Sequence, residues 1–549
     1  MTSDELLFVP LGGAGEIGMN MSLYGYQDRW LMIDMGIAFG DDTTPGIDVM
    51  TPDPAFVLEN LDRLDGLVIT HAHEDHLGAV PYLWRKIRCP IYATPFACGL
   101  LRRKLEEADL LDKIDLTEVP VGGGADIGPF SVDFVPAAHS IPEANILAIR
   151  CGAGTVIHAT DWKIDPEPLV GPRTDEKSLR EIGDAGVLAL VCDSTNVFVD
   201  GEAGSEAELQ KSLIEIIGNC EGRVAVASFA SNVARVATIN KAAVETTRNP
   251  SLVGRSLWRI LDISRECGYL SDIEPFVPES EIGFLPREKV LMGVTGSQGE
   301  PRSALARIAS GSHPNVTLEP GDTVIFSSRE IPGNELAIGK VQNQLARLGV
   351  NVLTEQDGFV HVSGHPARGE LMQLYDWIRP QILVPIHGEL RHLQEQKRLA
   401  DTCQIPHTPI AENGTLLRIS DRGAEVVDHV STGRLGVDGN RLVPANGTVI
   451  RERNRIRYNG AAVATIVLDG KGRLLADPQL TVQGVLEDAS EDDTWEETVD
   501  AIIDALNDLS PGDRRNDDTV AETARVAVRR SLRDSIGKRP VTDVHVVRV

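Results

Sequence analysis

The hexapeptide His71-Ala-His-Glu-Asp-His76 places three imidazoles and a carboxylate pair within six positions. It directly follows the apolar run Gly66–Thr70, which reads as a buried strand. At a strand end, His71 and His73 can share one metal ion, while Asp75 and His76, turned the other way, can take a second. Imidazole and carboxylate donors suit zinc, and also manganese. A plain polar surface cluster explains the segment less well. Three adjacent histidines would crowd positive charge at mildly acidic pH unless a metal held them neutral.

Three more candidates lie far away in the chain. His139 follows the strand-like Phe130–Pro136, Asp161 follows Thr155–Thr160, and His387 lies in Pro385-Ile-His-Gly-Glu389 after another apolar run. Each is expected at the carboxyl end of a strand, where binding residues gather in α/β folds. A lone histidine is usually structural, but together with the hexapeptide these residues complete a ligand set. A match to GxGxxG at Gly13, Gly15 and Gly18 invites a dinucleotide-loop reading. Close backbone packing beneath the metal site is the preferred alternative.

The elements that must position these residues fall into three textures. In the first, short strands (Leu6–Pro10, Trp30–Ile33, Leu67–Ile69, Ile91–Ala93, Phe130–Pro136, Ile146–Arg150, Thr155–His158, Val187–Val191) suggest sheets packed between helices. From about Glu206, helices and strands alternate as a second α/β unit, and near His361 reactive residues return. Gly433–Arg451 reads as an irregular linker, followed by a small α/β unit closing on the strand Val541–Val547. The expected partition is 1–205, 206–360, 361–430, a linker at 431–455, and 456–549. The acidic stretch Glu487–Asp500 reads as a loop leading into a solvated helix.

The 549 residues carry a formal net charge of −28, which taken alone argues against a nucleic-acid partner. Net charge says little, however, about a local channel. No apolar run approaches the ~20 residues needed to span a bilayer, so no membrane partner is expected. The N-terminus has no secretory pattern, and the seven cysteines are scattered without a CxxC pair. A cytoplasmic protein with reduced cysteines is the expectation.

Thr70–His76, His139 and Asp161 together resemble the metallo-β-lactamase superfamily. Val191-Cys-Asp-Ser-Thr-Asn196, His361-Val-Ser-Gly-His365 and Pro385–Gly388 resemble the extra motifs of its β-CASP nucleases. Leu11–Asn20, Ser228-Phe-Ala-Ser-Asn232, Gly254-Arg-Ser256 and Thr295–Glu300 narrow the resemblance to the bacterial ribonuclease J family, over essentially the whole chain. The resemblance implies an αββα sandwich with an inserted β-CASP α/β domain and a small C-terminal α/β domain. It assigns His71, His73 and His139 to one ion, Asp75, His76 and His387 to another, and Asp161 to the bridge. It makes Asp34 a buttress and hints at a structural calcium near Asp48 and Asp438. It also implies a homodimer or homotetramer. The acidity of this chain is unusual for an RNA enzyme.

The implied activity is two-metal hydrolysis of single-stranded RNA, as a 5′→3′ exonuclease and as an endonuclease, in RNA maturation and decay. His365 is the expected proton donor, held by Asp193, and Asp75 serves the metal centre. Ser228, Phe229, Ala230, Ser231, Asn232, His361, Val362, Ser363, Gly364 and His365 are expected to bind an RNA phosphate, including a 5′-monophosphate end. Arg235, Arg255, Arg302, Arg329 and Arg368 fall in or near these loops. The alternatives are a thioesterase- or lactonase-like hydrolase of the same superfamily, and a non-catalytic RNA-binding scaffold. The inserted domain disfavours the first, and the complete ligand set the second.

Overall fold

The computed structural model describes residues 5–331, 333–487 and 493–549. Part of the acidic stretch after Glu487 therefore lies outside the described residues. The chain divides into two compact units: the residues up to Ala38 with Thr51–Gly433, and Phe39–Met50 with Arg434–Val549.

The larger unit contains a sandwich of two sheets. One runs in the order Gly423–His429, Thr415–Ser420, Leu6–Gly12, Met21–Tyr26, Arg29–Ile33, Leu64–Val68, Ile91–Ala93, Leu116–Glu118. The other runs Gly124–Ile127, Phe130–Ala137, Ala144–Cys151, Gly154–Ala159, Ala189–Asp193, Ile382–Ile386. Alternation along the strands divides their side chains between two cores. Phe8, Tyr24, Leu31 and Val68 meet Phe134, Leu147, Val156 and Val191 between the sheets. Ala137, Ile146, Ile157 and Leu190 face outward and are covered by Leu179, Leu371, Trp377 and Leu399 from helices. Met21–Tyr26 is buried at every position, so it lacks the alternation that marks a half-exposed strand.

The chain leaves the second sheet after Ala189–Asp193 and returns as its parallel neighbour Ile382–Ile386, with Asp193 opposite Ile386. Between them lies a five-stranded, all-parallel sheet in the order Asn249–Val253, Val290–Val294, Val224–Ala227, Thr323–Phe326, Asn351–Leu353. Separate apolar clusters cover its two faces, as a parallel sheet requires. The buried carboxylate of Glu370, in the returning helix Arg368–Ile378, ties the excursion to the sandwich. It accepts from Ile164 N (2.7 Å), Ala203 N (2.8 Å) and Ala367 N (2.8 Å).

In the second unit, Ala461–Leu468 lies between Gln479–Gln483 and Val541–Arg548, with Asp493–Asn507 and Asp517–Ile536 packed on the sheet. The expected irregular linker is instead ordered. Arg434–Asp438 and Arg441–Pro444 form a hairpin, and the helix Thr448–Asn459 follows. Its two strands are too short to show a clear period, but the Asp438-Gly-Asn440 turn with Gly439 at φ +60° carries the signal.

Glu370→Ala would strand three backbone donors, two of them on loops that frame Asp161 and the start of the excursion. A buried unsatisfied donor costs about 1–3 kcal/mol, so a loss of about 2–4 kcal/mol is expected, read as an earlier first transition in urea. Glu370→Gln keeps an acceptor oxygen and should lose less.

Candidate metal centre

The hexapeptide leaves the strand Leu64–Val68 and turns into the short helix Glu74–Leu77. This turn splits its donors: His71 and His73 on one side, Asp75 and His76 on the other. His139 follows Phe130–Ala137, Asp161 follows Gly154–Ala159, and His387 follows Ile382–Ile386. These residues form two groups, His71–His73–His139–Asp161 and Asp75–His76–Asp161–His387, each with donor atoms within 4.8 Å of one another. His387 holds a left-handed backbone, φ +52°, sparsely populated for a side chain of its kind.

The spacings fit metal coordination. A tetrahedral site with bonds near 2.0–2.1 Å sets its donors about 3.3 Å apart. In the first group, His73 Nδ1 lies 3.1 Å from His71 Nε2 and 3.0 Å from His139 Nε2. Asp161 Oδ2 lies 3.7 and 3.6 Å from the latter two nitrogens. In the second, His76 Nε2 is 3.1 Å from Asp161 Oδ1 and 3.6 Å from Asp75 Oδ2. His387 Nε2 is 3.6 and 3.3 Å from the same two oxygens. The two oxygens of Asp161 thus face opposite groups, and its buried Oδ1 has no hydrogen-bond partner. This donor set accommodates divalent metal.

Further contacts fix the free nitrogen of each ring, as ligand histidines require. Asp34 Oδ2 pairs with His76 Nδ1 at 2.7 Å, and the same carboxylate accepts from Thr70 N and Oγ1. His139 Nδ1 donates to Gly364 O at 2.6 Å, and His387 Nδ1 meets Thr195 Oγ1 at 2.8 Å. Asn20 donates to Asp75 O at 3.1 Å and also lies 3.0 Å from His76 Nε2, the nitrogen that faces Asp75 and Asp161 rather than the free one. Asp34 stands where a buttress is expected. Thr70, Thr195 and Asn20 were not singled out from sequence, because a hydroxyl or amide beside a ligand carries no spacing signal of its own. The glycine loop packs against the site: Gly13 O accepts from His387 N, and Gly18 lies against Asp75.

Burial pushes His71 and His139 well below the ordinary imidazole range and His73 down to about 4. Beside the bridge, His365 Nδ1 contacts Asp193 Oδ2 at 2.8 Å, and its Nε2 is 3.7 Å from Asp161 Oδ2. Burial opposes its charge, but Asp193 and Asp161 overcome this and raise it to about 9. Asp193 is itself oriented by Thr195 N at 2.8 Å.

The expected phosphate segments divide. Ser228 and Ser297 follow adjacent parallel strands of the inserted sheet, and their buried hydroxyls lack hydrogen-bond partners. The guanidinium of Arg235 and Nδ1 of His361 are likewise buried without hydrogen bonds. Arg235 is fully buried and pairs with Glu206 at 3.3 Å. Asn232 caps the helix Val233–Glu245 through Arg235 N. Phe229, Ala230 and Ser231 are partly exposed. Val362 packs into the apolar core of the insertion, Ser363 bonds Asn196, and Gly364 supports His139. Of the remaining arginines, Arg329 donates to Asn196, Arg368 to Val197 O and Glu395, and Arg255 and Arg302 are exposed.

Two carboxylate-bridged histidine groups at the strand ends of an αββα sandwich define a metallohydrolase of the metallo-β-lactamase fold, interrupted here by a parallel α/β insertion. Family models match in the same order: Beta-lactamase superfamily domain at 29–186, Ribonuclease J beta-CASP domain at 221–345, Zn-dependent metallo-hydrolase RNA specificity domain at 349–407, and Ribonuclease J C-terminal domain at 448–549. Ribonuclease J of Sinorhizobium meliloti is 43% identical over 100% of this chain and 98% of its own. That of Corynebacterium glutamicum is 37% identical over 98% and 75%. A crystal structure of a protein of unknown function from Enterococcus faecalis shares the fold at 16% identity, TM-score 0.53, covering 76% of this chain and all of that one. The chain belongs to the ribonuclease J family.

Replacing Asp34 by Ala removes the acceptor that orients His76. Metal retention against a competing chelator is expected to weaken roughly 10–100-fold, the usual effect of losing such a partner.

Proposed function

We propose that this chain is a metal-dependent ribonuclease acting on single-stranded RNA, as a 5′→3′ exonuclease and as an endonuclease. The observation that carries the reading is Asp161, whose oxygens each face a complete set of donors beside the His365–Asp193 pair. His71, His73, His139, Asp75, His76 and His387 would hold two divalent cations, with Asp161 shared. Zinc suits these donors, and manganese is the second choice. Bound there, the cations would neutralise phosphoryl oxygens and bring the pKa of a water near neutrality.

The protein's own groups do the rest. His365, protonated and held through Nδ1 by Asp193, presents Nε2–H beside the bridge and donates to the departing O3′. In-line attack by water then leaves a 5′-phosphate on the downstream product and a 3′-hydroxyl on the other. Ser228, Asn232 and His361 offer donors for an RNA phosphate, so a 5′-monophosphate end sets where digestion begins. Phe229, Ala230, Ser231 and Ser363 line the same approach.

We keep residues 1–205 with 361–430 as the hydrolase domain, 206–360 as the insertion and 456–549 as the terminal domain. Cytoplasmic location and a dimer or tetramer belong to the same reading. Among the described residues no helix is long and apolar enough to cross a membrane, and all seven cysteines are free. A calcium between Asp48 and Asp438 would have to displace Arg441 and Arg453, which hold both Asp438 oxygens.

Two measurements test the proposal. His365→Ala should lower turnover roughly 10²-fold or more while RNA affinity falls less; an equal fall in both makes His365 a phosphate ligand instead. RNA with a 5′-monophosphate should release mononucleotides faster than RNA with a 5′-triphosphate or 5′-hydroxyl. Equal rates on all three ends, or digestion from the 3′ end, defeat the pocket.

A further inference from the structure

We infer that the outer face of the helix Thr448–Asn459 is an additional surface for single-stranded RNA, built from residues that belong neither to the metal centre nor to the phosphate loops. The inference rests on the ribonuclease reading for its choice of polyanion.

The helix carries four arginines against one glutamate in a chain of net charge −28. At 100° per residue, Arg453 and Arg457 share one side with Ile450, while Arg451, Arg455 and Tyr458 share the opposite side. The first side anchors the helix. Ile450 is buried, Arg453 pairs with Asp438 at 2.7 Å, and Arg457 pairs with Asp42 at 3.1 Å. Asn454 adds a bond to Thr43 O at 2.8 Å.

The opposite side is left open. Arg451 and Arg455 are exposed, and among the described residues neither pairs with a carboxylate; Arg451 Nη2 donates to Thr448 Oγ1 at 3.2 Å one turn away on the same helix. Tyr458 is 66% exposed, and the Arg457 guanidinium stands 6.0 Å from its ring centre. At the C-terminal end, Lys538 Nζ donates to Tyr458 O at 2.8 Å, and exposed Arg539 follows. Acidic residues outnumber basic ones 81 to 53, so a carboxylate partner for each arginine is readily supplied. A helix that instead presents guanidiniums without a carboxylate partner around an exposed aromatic ring combines the two elements that hold single strands: charge along the backbone and a platform for a base. A merely solvating face has no use for the exposed ring.

The test uses the full chain carrying R451Q and R455Q, and separately Y458A. Binding of a labelled 30-nucleotide single strand is measured in chelator across a salt series, and hydrolysis of a 5′-phosphorylated dinucleotide is measured with metal. The double variant is expected to bind the long strand roughly tenfold more weakly at moderate salt, with a salt slope lower by about 1.4, or about 0.7 per lost contact. Y458A should weaken binding without changing the slope, and dinucleotide turnover should stay at the wild-type value in both. Unchanged affinity and slope overturn the inference. So does a change of oligomeric state by light scattering with RNA affinity intact, which makes the face a contact with a second copy. A wild-type protein that neither binds nor cuts RNA defeats the ribonuclease reading itself; one that cuts RNA while the variants match it defeats this inference alone.

Discussion

Everything in the larger unit is arranged around one carboxylate. Asp161 can serve two donor groups only if its oxygens point in opposite directions, and that requires ends of both sheets to meet at one edge. The inter-sheet core fixes their separation: Val68 lies just before the hexapeptide, and Phe134, Val156, Val191 and Val384 lie just before the other donors or their supports. The two halves of the site differ electrostatically. Three imidazoles crowd the first, and burial and mutual repulsion drive them neutral. In the second, Asp75, Asp34 and Asp161 overcome burial and raise His76, and Asp161 with Asp75 raises His387. One residue type is thus pushed both ways by its local ratio of carboxylates to imidazoles.

The hexapeptide was legible because its donors are local and their spacing alone suggests two metals. His387 lies 312 positions beyond Asp75, and no periodicity relates them. The resemblance joined them, and the parallel pairing of Ala189–Asp193 with Ile382–Ile386 is its physical basis. Apart from Asp34, the residues that hold these donors in place were not legible. Thr70, Thr195 and Asn20 act through three-dimensional neighbours, and their types are common in turns. Val362 shows the converse error. Its place inside a reactive motif suggested substrate contact, yet its side chain belongs to the apolar core that holds the motif in place.

The insertion is fastened most firmly where it departs and returns. Asn196, just after the departing strand, bonds Ser363 Oγ at 2.7 Å and His365 O at 3.0 Å, and Arg329 bonds Asn196 Oδ1 at 2.7 Å. Elsewhere it meets the sandwich through Arg103–Glu266 and Arg259–Glu107, exposed pairs of a kind that contribute little, and through Tyr269 donating to the buried Glu143 at 3.2 Å. The contacts at Asn196, unlike those at the far edge, lie directly beside the His365–Asp193 pair.

The charge of the site resolves the conflict between an acidic chain and a polyanionic substrate. Three buried carboxylates, Asp34, Asp161 and Asp193, and the half-buried Asp75 share one region. Against them stand His76, His387 and His365, which these carboxylates hold toward the charged form, while the other basic groups nearby are largely committed: Arg235 to Glu206, Lys163 to Asp165 at 3.0 Å, Arg368 to Glu395. Two divalent cations carry as much positive charge as the four carboxylates carry negative. On the proposed ligand set, loading the metals displaces the protons of His76 and His387 but supplies more charge than they carried, so the field felt by RNA shifts toward positive before any specific contact forms. Binding of substrate and binding of metal are then coupled through charge as well as through chemistry, and the acidity of the remaining surface no longer decides whether RNA can enter.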